Sequence, residues 1–191
     1  MRGNEEIPGI RWARLGARND DRGNFREVWR ASASAAGSAR EGGADQGVLA
    51  QANLSHSKAG VLRGLHFHRS QTDHWIVVNG EIFVALVDLR RDDGSVRVAT
   101  RTLLTDDTLT IPALVAHGFL ALRPATLLYL VTREYDGTDE YGLAWNDPEL
   151  RIPWPQAPTA PGLPIMSERD RSNPSLADVR REMAVRPSSS A

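Results

Sequence analysis

The chain has no cysteine among its 191 residues. That absence rules out a disulfide framework, a thiolate nucleophile and a zinc–thiolate cluster, and it fits a reducing compartment. Charge of one sign is also missing. Lys plus Arg (23) nearly balance Asp plus Glu (24), so a formal net charge of -1 gives no electrostatic ground for expecting nucleic acid or an anionic membrane as partner. No apolar run approaches the length needed to span a bilayer, and the opening residues "MRGNEEIPGI" lack the apolar stretch of a secretion signal. The expectation is a cytoplasmic protein folded as one domain over 1–191, its 41% hydrophobic residues sufficing for one buried core.

Residues 31–47, "ASASAAGSAREGGADQG", are small, glycine-rich and aperiodic, as in a flexible loop. From Val48 to Tyr135 short segments rich in Val, Ile, Leu and Thr alternate with turn signals at "NG" (79–80), "RDDG" (91–94) and "DD" (106–107). This spacing predicts antiparallel strands in a sandwich or jelly-roll barrel whose mouth holds a ligand. Two apolar runs flank Asn79-Gly80, which predicts a tight hairpin there. Six prolines between 145 and 164 exclude a central strand or helix, leaving extended coil around the barrel. "NPSLADVRREMA" (173–184) offers a short C-terminal helix, and residues 185–191 should fray.

Three of the five histidines fall in "GLHFHRSQTDHWIVVNG" (64–80). His66 and His68 are two apart, so on a strand their side chains share a face. Alternation places Asp73, Trp75 and Val77 on one face of the next segment and His74, Ile76 and Val78 on the other, with similar apolarity on both. The run His66-x-His68, four residues, Asp73, six residues, Gly80, followed by His117 in "IPALVAHGF", resembles the metal-binding pattern of cupin barrels, with Asp for the usual Glu and Leu114 for the usual Gly. That resemblance implies a site for one divalent ion (Fe, Ni, Mn or Zn) held by His66, His68, Asp73 and His117, with His74 as a competing ligand. A histidine on an apolar strand more often just hydrogen-bonds a neighbour, and for His56, in a polar stretch, that is the default.

A second resemblance spans nearly the whole chain. "DDRGNFRE" (20–27), "SHSKAGVLRGLHF" (55–67), "VDLR" (87–90), "IPALVAHGFLAL" (111–122), "EYDGTDEYGLAWNDPELRIPWP" (134–155) and "SERD" (167–170) are similar, in order, to dTDP-4-dehydrorhamnose 3,5-epimerases. It implies an all-β, cupin-type jelly roll with a short C-terminal helix that epimerises a dTDP-4-keto-6-deoxyhexose at C3, C5 or both in deoxysugar biosynthesis, without a cofactor. By the same resemblance, His66 is the base, Asp170 its orienting carboxylate and Tyr129 the acid on the far side of the sugar. Arg22 and Arg63 would grip the diphosphate, Gln51 and Asn53 would add hydrogen bonds, Phe25 and Glu27 would meet the nucleoside, and His117, Tyr135 and Arg169 would complete the substrate site. It further implies a homodimer with exchanged N-terminal strands, so that Arg22, Phe25 and Glu27 serve the neighbour's pocket.

This sequence departs from the family pattern where His68 stands for Gln, Asp73 for Lys and Val84 for Asp. The family's lysine is its enolate-stabilising cation, and losing such a partner costs roughly 2–4 kcal/mol of transition-state stabilisation. Two further readings therefore stand beside the epimerase: a metal-dependent cupin oxygenase or isomerase on the same scaffold, and a non-catalytic nucleotide-sugar binder.

Overall fold

The computed structural model describes residues 6–30, 49–91, 93 and 95–185. The loop expected over 31–47, and all of the expected frayed tail except Val185, lie outside those residues. In chain order the strands are β1 (Arg11–Arg14), β2 (Ala17–Asp20), β3 (Gly23–Arg26), β4 (Gln51–Ser57), β5 (Leu62–Phe67), β6 (Asp73–Asn79), β7 (Glu81–Asp88), β8 (Arg97–Leu104), β9 (Asp107–Ile111), β10 (Val115–Ala121), β11 (Ala125–Val131) and β12 (Tyr141–Gly142). Two short helices follow, α1 (Glu168–Arg171) and α2 (Leu176–Val185).

The strands form two five-stranded sheets, ordered β1-β9-β6-β11-β4 and β12-β5-β10-β7-β8, and a separate two-stranded hairpin of β2 and β3. The sheets face one another across an apolar layer in which Trp75, Val77, Leu109, Ile111 and Leu127 of the first meet Ile82, Val84, Leu86, Val115 and Phe119 of the second. The second sheet is covered on its back as well. Leu65, Phe67, Ala85 and Val87 pack there against Leu143, Leu150, Leu176 and Val179. This double burial explains why "IFVALV" in β7 and "VAHGFLA" in β10 are near-continuous apolar runs. The proline-rich coil supplies much of the cover, with Trp145, Trp154 and Ala157 beside Leu62, Leu120 and Phe83. Asp147, mostly buried, accepts the Leu176 amide at 2.8 Å and so pins the start of α2.

Asn79-Gly80 does not close a hairpin. β6 pairs with β9 and β11 while β7 pairs with β10 and β8, so the chain changes sheets at this point. Gly80 does adopt φ +103, and a Cβ there would lie 2.3 Å from the Pro124 carbonyl oxygen. The glycine is needed to turn a corner between layers.

β5 and β10 approach so closely that glycine is required on both. A Cβ on Gly118 would meet the Arg63 oxygen at 2.7 Å and the Gly64 Cα at 3.1 Å, and one on Gly64 would meet the Gly118 Cα at 2.7 Å. Gly118→Ala is therefore expected to cost about 1–3 kcal/mol as backbone is forced apart. Gly16→Ala, with nothing within 4 Å of its added methyl, should be near neutral. Urea denaturation of both variants checks the difference.

Candidate active site

A cavity of about 1230 Å³ opens between the sheets, lined from the second by Arg63, His66, His117 and Phe119 and from the first by Gln51, Asn53, Asp73, Trp75 and Tyr129. The β5–β10 register sets His66 directly opposite His117, and the β11 register sets Tyr129 between Trp75 and Asn53. Side-chain alternation then aims these groups at the gap.

His66 Nε2 lies 2.7 Å from Asp170 Oδ1. Asp170 reaches it from α1, where Ser167 caps the helix by accepting the Asp170 amide at 3.0 Å. Burial opposes ionisation of Asp170, but the hydrogen bond and charge of His66, with smaller help from the Gly64 amide and Ser167, hold its carboxyl below the usual range. An ionised carboxylate accepts only, so His66 carries its proton on Nε2 and turns the lone pair of Nδ1 to the cavity. Glu140 Oε1 stands 3.8 Å from that Nδ1, and Glu140 Oε2 is held at 2.7 Å by Arg169.

Tyr129 lines the opposite wall, half-buried. Burial first, and then the negative charge of Asp73, push its phenol pKa up, so it is protonated at neutral pH. Gln51 and Asn53 hydrogen-bond one another at 2.8 Å, and Gln51 Oε1 accepts the Tyr135 amide at 2.9 Å. Arg63 is tied to Ser57 Oγ at 3.1 Å and extends toward the mouth, where Tyr135 lies exposed. The cations lining this space are arginines 63, 69, 133 and 169, and the chain's only lysine, Lys58, is not among the lining residues.

Asp73 is buried, accepting Gln71 Nε2 at 2.8 Å and Trp75 Nε1 at 3.3 Å, with its Oδ2 3.7 Å from His117 Nε2. The carboxylate facing His117 therefore comes from the other sheet. Val84 sits in the apolar layer, paired with Phe119 rather than His117. Burial above all lowers the His117 pKa, to about 4, with Asp73 opposing the shift and His68 adding to it.

Two sequence expectations need correction. His66 is not in the group of potential metal ligands, which among the described residues comprises His68, Asp73 and His117, because neither of its ring nitrogens comes close enough to all three. His74 is no competing ligand, since it points away from the cavity and bonds Thr110 Oγ1 at 3.0 Å. Arg22, Phe25 and Glu27, which the resemblance assigns to a neighbour's pocket, are not among the residues lining this chain's cavity. They lie on or beside the exposed β2–β3 hairpin, where Arg22 pairs with Asp20 at 2.6 Å and Glu27 pairs with Arg30. The one-turn helix α1 opens on a Ser-x-x-Asp capping sequence, Ser167 to Asp170.

Sequence reasoning also missed Glu140 and Asp139 as site residues. The Asp139 carboxylate accepts the Arg69 and Ser70 amides at 2.7 and 3.0 Å, and its carbonyl accepts His68 Nδ1–H. The only hint was two adjacent acids within "DGTDEYG".

The sequence matches the family model for dTDP-4-dehydrorhamnose 3,5-epimerase over residues 4–178. It is 39% identical over 137 residues to the dTDP-4-dehydrorhamnose 3,5-epimerase of Mycobacterium tuberculosis (strain CDC 1551 / Oshkosh), covering 68% of this chain and 67% of that protein. The solved rmlC epimerase of Mycobacterium tuberculosis superposes with a TM-score of 0.79 at 32% identity, over 95% of this chain and 92% of that one. The Legionella pneumophila dTDP-6-deoxy-D-glucose-3,5-epimerase, solved in complex with dTDP-4-keto-L-rhamnose, gives 0.78 at 27% identity, over 94% of both chains.

The His117 environment carries a pH signature. Its folded pKa of about 4 lies below the ordinary 6.5, so the unfolded chain binds the extra proton first as pH falls. This contribution to stability is complete above pH 6.5 and is lost between 6.5 and about 4. Denaturant midpoints measured across that window with EDTA present should fall on acidification, and His117→Asn should flatten the slope.

Proposed function

The chain belongs to the dTDP-4-dehydrorhamnose 3,5-epimerase family, an isomerase family of deoxysugar biosynthesis, and from that premise we propose how its own residues invert a dTDP-4-keto-6-deoxyhexose. The C4 ketone acidifies the C–H bonds at C3 and C5 and receives the electron pair as an enolate when a proton leaves. His66 is the base. Its Nδ1 lone pair takes the proton, and Asp170, 2.7 Å from Nε2, fixes the tautomer and steadies the imidazolium that forms. Tyr129, across the cavity and held protonated, returns a proton to the other face of the same carbon, which completes the inversion. Solvent exchange then resets both groups.

The observation that carries this reading is the His66–Asp170 pair opening into a cavity that Tyr129 also lines. The sugar ring belongs between them, and the diphosphate belongs toward Arg63, whose planar fork suits phosphate oxygens. Gln51, Asn53, Tyr135 and Arg169 frame the remainder. His117 supports the cavity floor, edge-on to Trp75 with centroids 5.3 Å apart.

Arg22, Phe25 and Glu27 have a role only if a second subunit is present. We propose a homodimer in which the exposed β2–β3 hairpin of one protomer reaches its partner's cavity, bringing those residues to the nucleotide. Phe25 is 64% exposed in the single chain, a large apolar surface for a hairpin to show to water. A cytoplasmic location suits the nucleotide-sugar substrate, and among the described residues no helix is long and apolar enough to cross a membrane.

Incubation with dTDP-4-keto-6-deoxyglucose in heavy water should wash deuterium into C3, C5 or both. His66→Ala should abolish the exchange, and Asp170→Asn should slow it by roughly 10²–10⁴-fold. Tyr129→Phe should still exchange, because His66 works one face alone, yet yield little inverted sugar. Binding of the substrate without any exchange by the wild-type chain would mark a binder rather than an epimerase. Arg22→Ala should raise KM with little change in kcat, and ultracentrifugation should show a dimer.

A further inference from the structure

One ligand atom from each of His68, Asp73 and His117 lies within 4.8 Å of the others, on the wall of the cavity. The hydrogen bonds around this group are more telling than its composition. His117 Nδ1–H donates to the Val115 carbonyl at 3.0 Å, and His68 Nδ1–H donates to the Asp139 carbonyl. A carbonyl can only accept, so in each neutral ring Nδ1 holds the proton and Nε2 bears a lone pair. Asp73 accepts Gln71 Nε2 on Oδ1 at 2.8 Å and, at a longer 3.3 Å, Trp75 Nε1 on Oδ2, which leaves Oδ2 with lone-pair capacity toward His117.

His117 Nε2 and Asp73 Oδ2 thus face each other at 3.7 Å as two acceptors, with His68 Nε2 as a third. Among the described residues, no hydrogen bond joins these three atoms to one another. Asp73 and His117 are only 4% and 5% exposed, so bulk water does little for them. Electron-rich atoms brought together in a buried place need a positive partner.

We propose that His68, Asp73 and His117 form a binding site for one divalent transition-metal ion of borderline character, the class that zinc, nickel, manganese and ferrous iron represent. Two neutral imidazoles and a carboxylate are ligands such ions favour, and open coordination positions would face the cavity. Backbone carbonyls on both Nδ1–H groups, with Gln71 and Trp75 on the carboxylate, are the outer partners that orient ligands in metal sites. Ligands ~2.1 Å from a common tetrahedral ion lie ~3.4 Å apart, so the His117–Asp73 pair, at 3.7 Å, is already near that span, and His68 has to move in by about an ångström.

His66 stays outside this set, so the ion site and the His66–Asp170 pair can operate together. The inference goes beyond the epimerase reading and does not rest on it.

The test uses the full-length, untagged chain, stripped with EDTA, dialysed, and titrated with Zn²⁺ by calorimetry and with Co²⁺ by visible absorption at pH 7.5. Expected are one saturating equivalent, a cobalt d–d band and a higher melting temperature with metal. His68→Gln and Asp73→Asn should each weaken binding at least ~10-fold, whereas His56→Gln, remote from the cavity, should leave it unchanged. If Asp73→Asn does not fold, His68→Gln, at a part-buried position, carries the comparison. Absence of saturable binding, or equal binding by wild type and His68→Gln, overturns the proposal. Neither measurement needs a sugar, so failure here and failure of the solvent-exchange assay are separate results.

Discussion

The site depends on how closely β5 can lie against β10. Gly64 and Gly118 have no side chains because each occupies the space a Cβ on the other would need, and this contact sets His66 opposite His117 in the register. The second sheet thereby presents two imidazoles to the gap, while the first presents Asp73, Trp75 and Tyr129 from the facing wall. A shift of one residue in either pairing would turn these groups into the apolar layers, where ionisable side chains are costly.

Polar chemistry is arranged around that contact as two neighbouring centres. In one, His66 is bound to Asp170, and Glu140 with its partner Arg169 stands on the cavity side. In the other, His68 and His117 have their Nδ1 atoms fixed by carbonyls and turn toward Asp73. The first is the pair we propose as the proton-transfer centre. In the second, His68 and Asp73 stand where the family resemblance implies glutamine and lysine, and it is the cluster proposed to bind an ion.

Much of this was legible in the primary structure. The His66/His68 parity and the proline-rich cover follow from strand periodicity and proline's missing N–H, and both appear as expected, whereas the similar apolarity of the two faces of 73–78 left open that Asp73, Trp75 and Val77 point inward. Local pattern misled where the determining contact was distant. Asn79-Gly80 looks like a hairpin turn because positive φ is needed there, but local sequence does not say whether the next strand returns to the same sheet. Likewise, the spacing of His66, His68, Asp73 and His117 cannot reveal that Asp170, some hundred positions away, already holds the first of them.

The sequence alone determined the all-β class, the family, and the inventory of groups able to move a proton, because these depend on residue type, alternation and motif order. Tertiary structure decided which groups meet. It separated His66 from the His68–Asp73–His117 cluster, supplied His117 with a carboxylate from the opposite sheet, turned His74 outward and left Arg22, Phe25 and Glu27 away from this chain's cavity. Hydrogen bonds and burial act over a few ångströms in space, and contacts made at that range between distant parts of a chain leave no periodic trace along it.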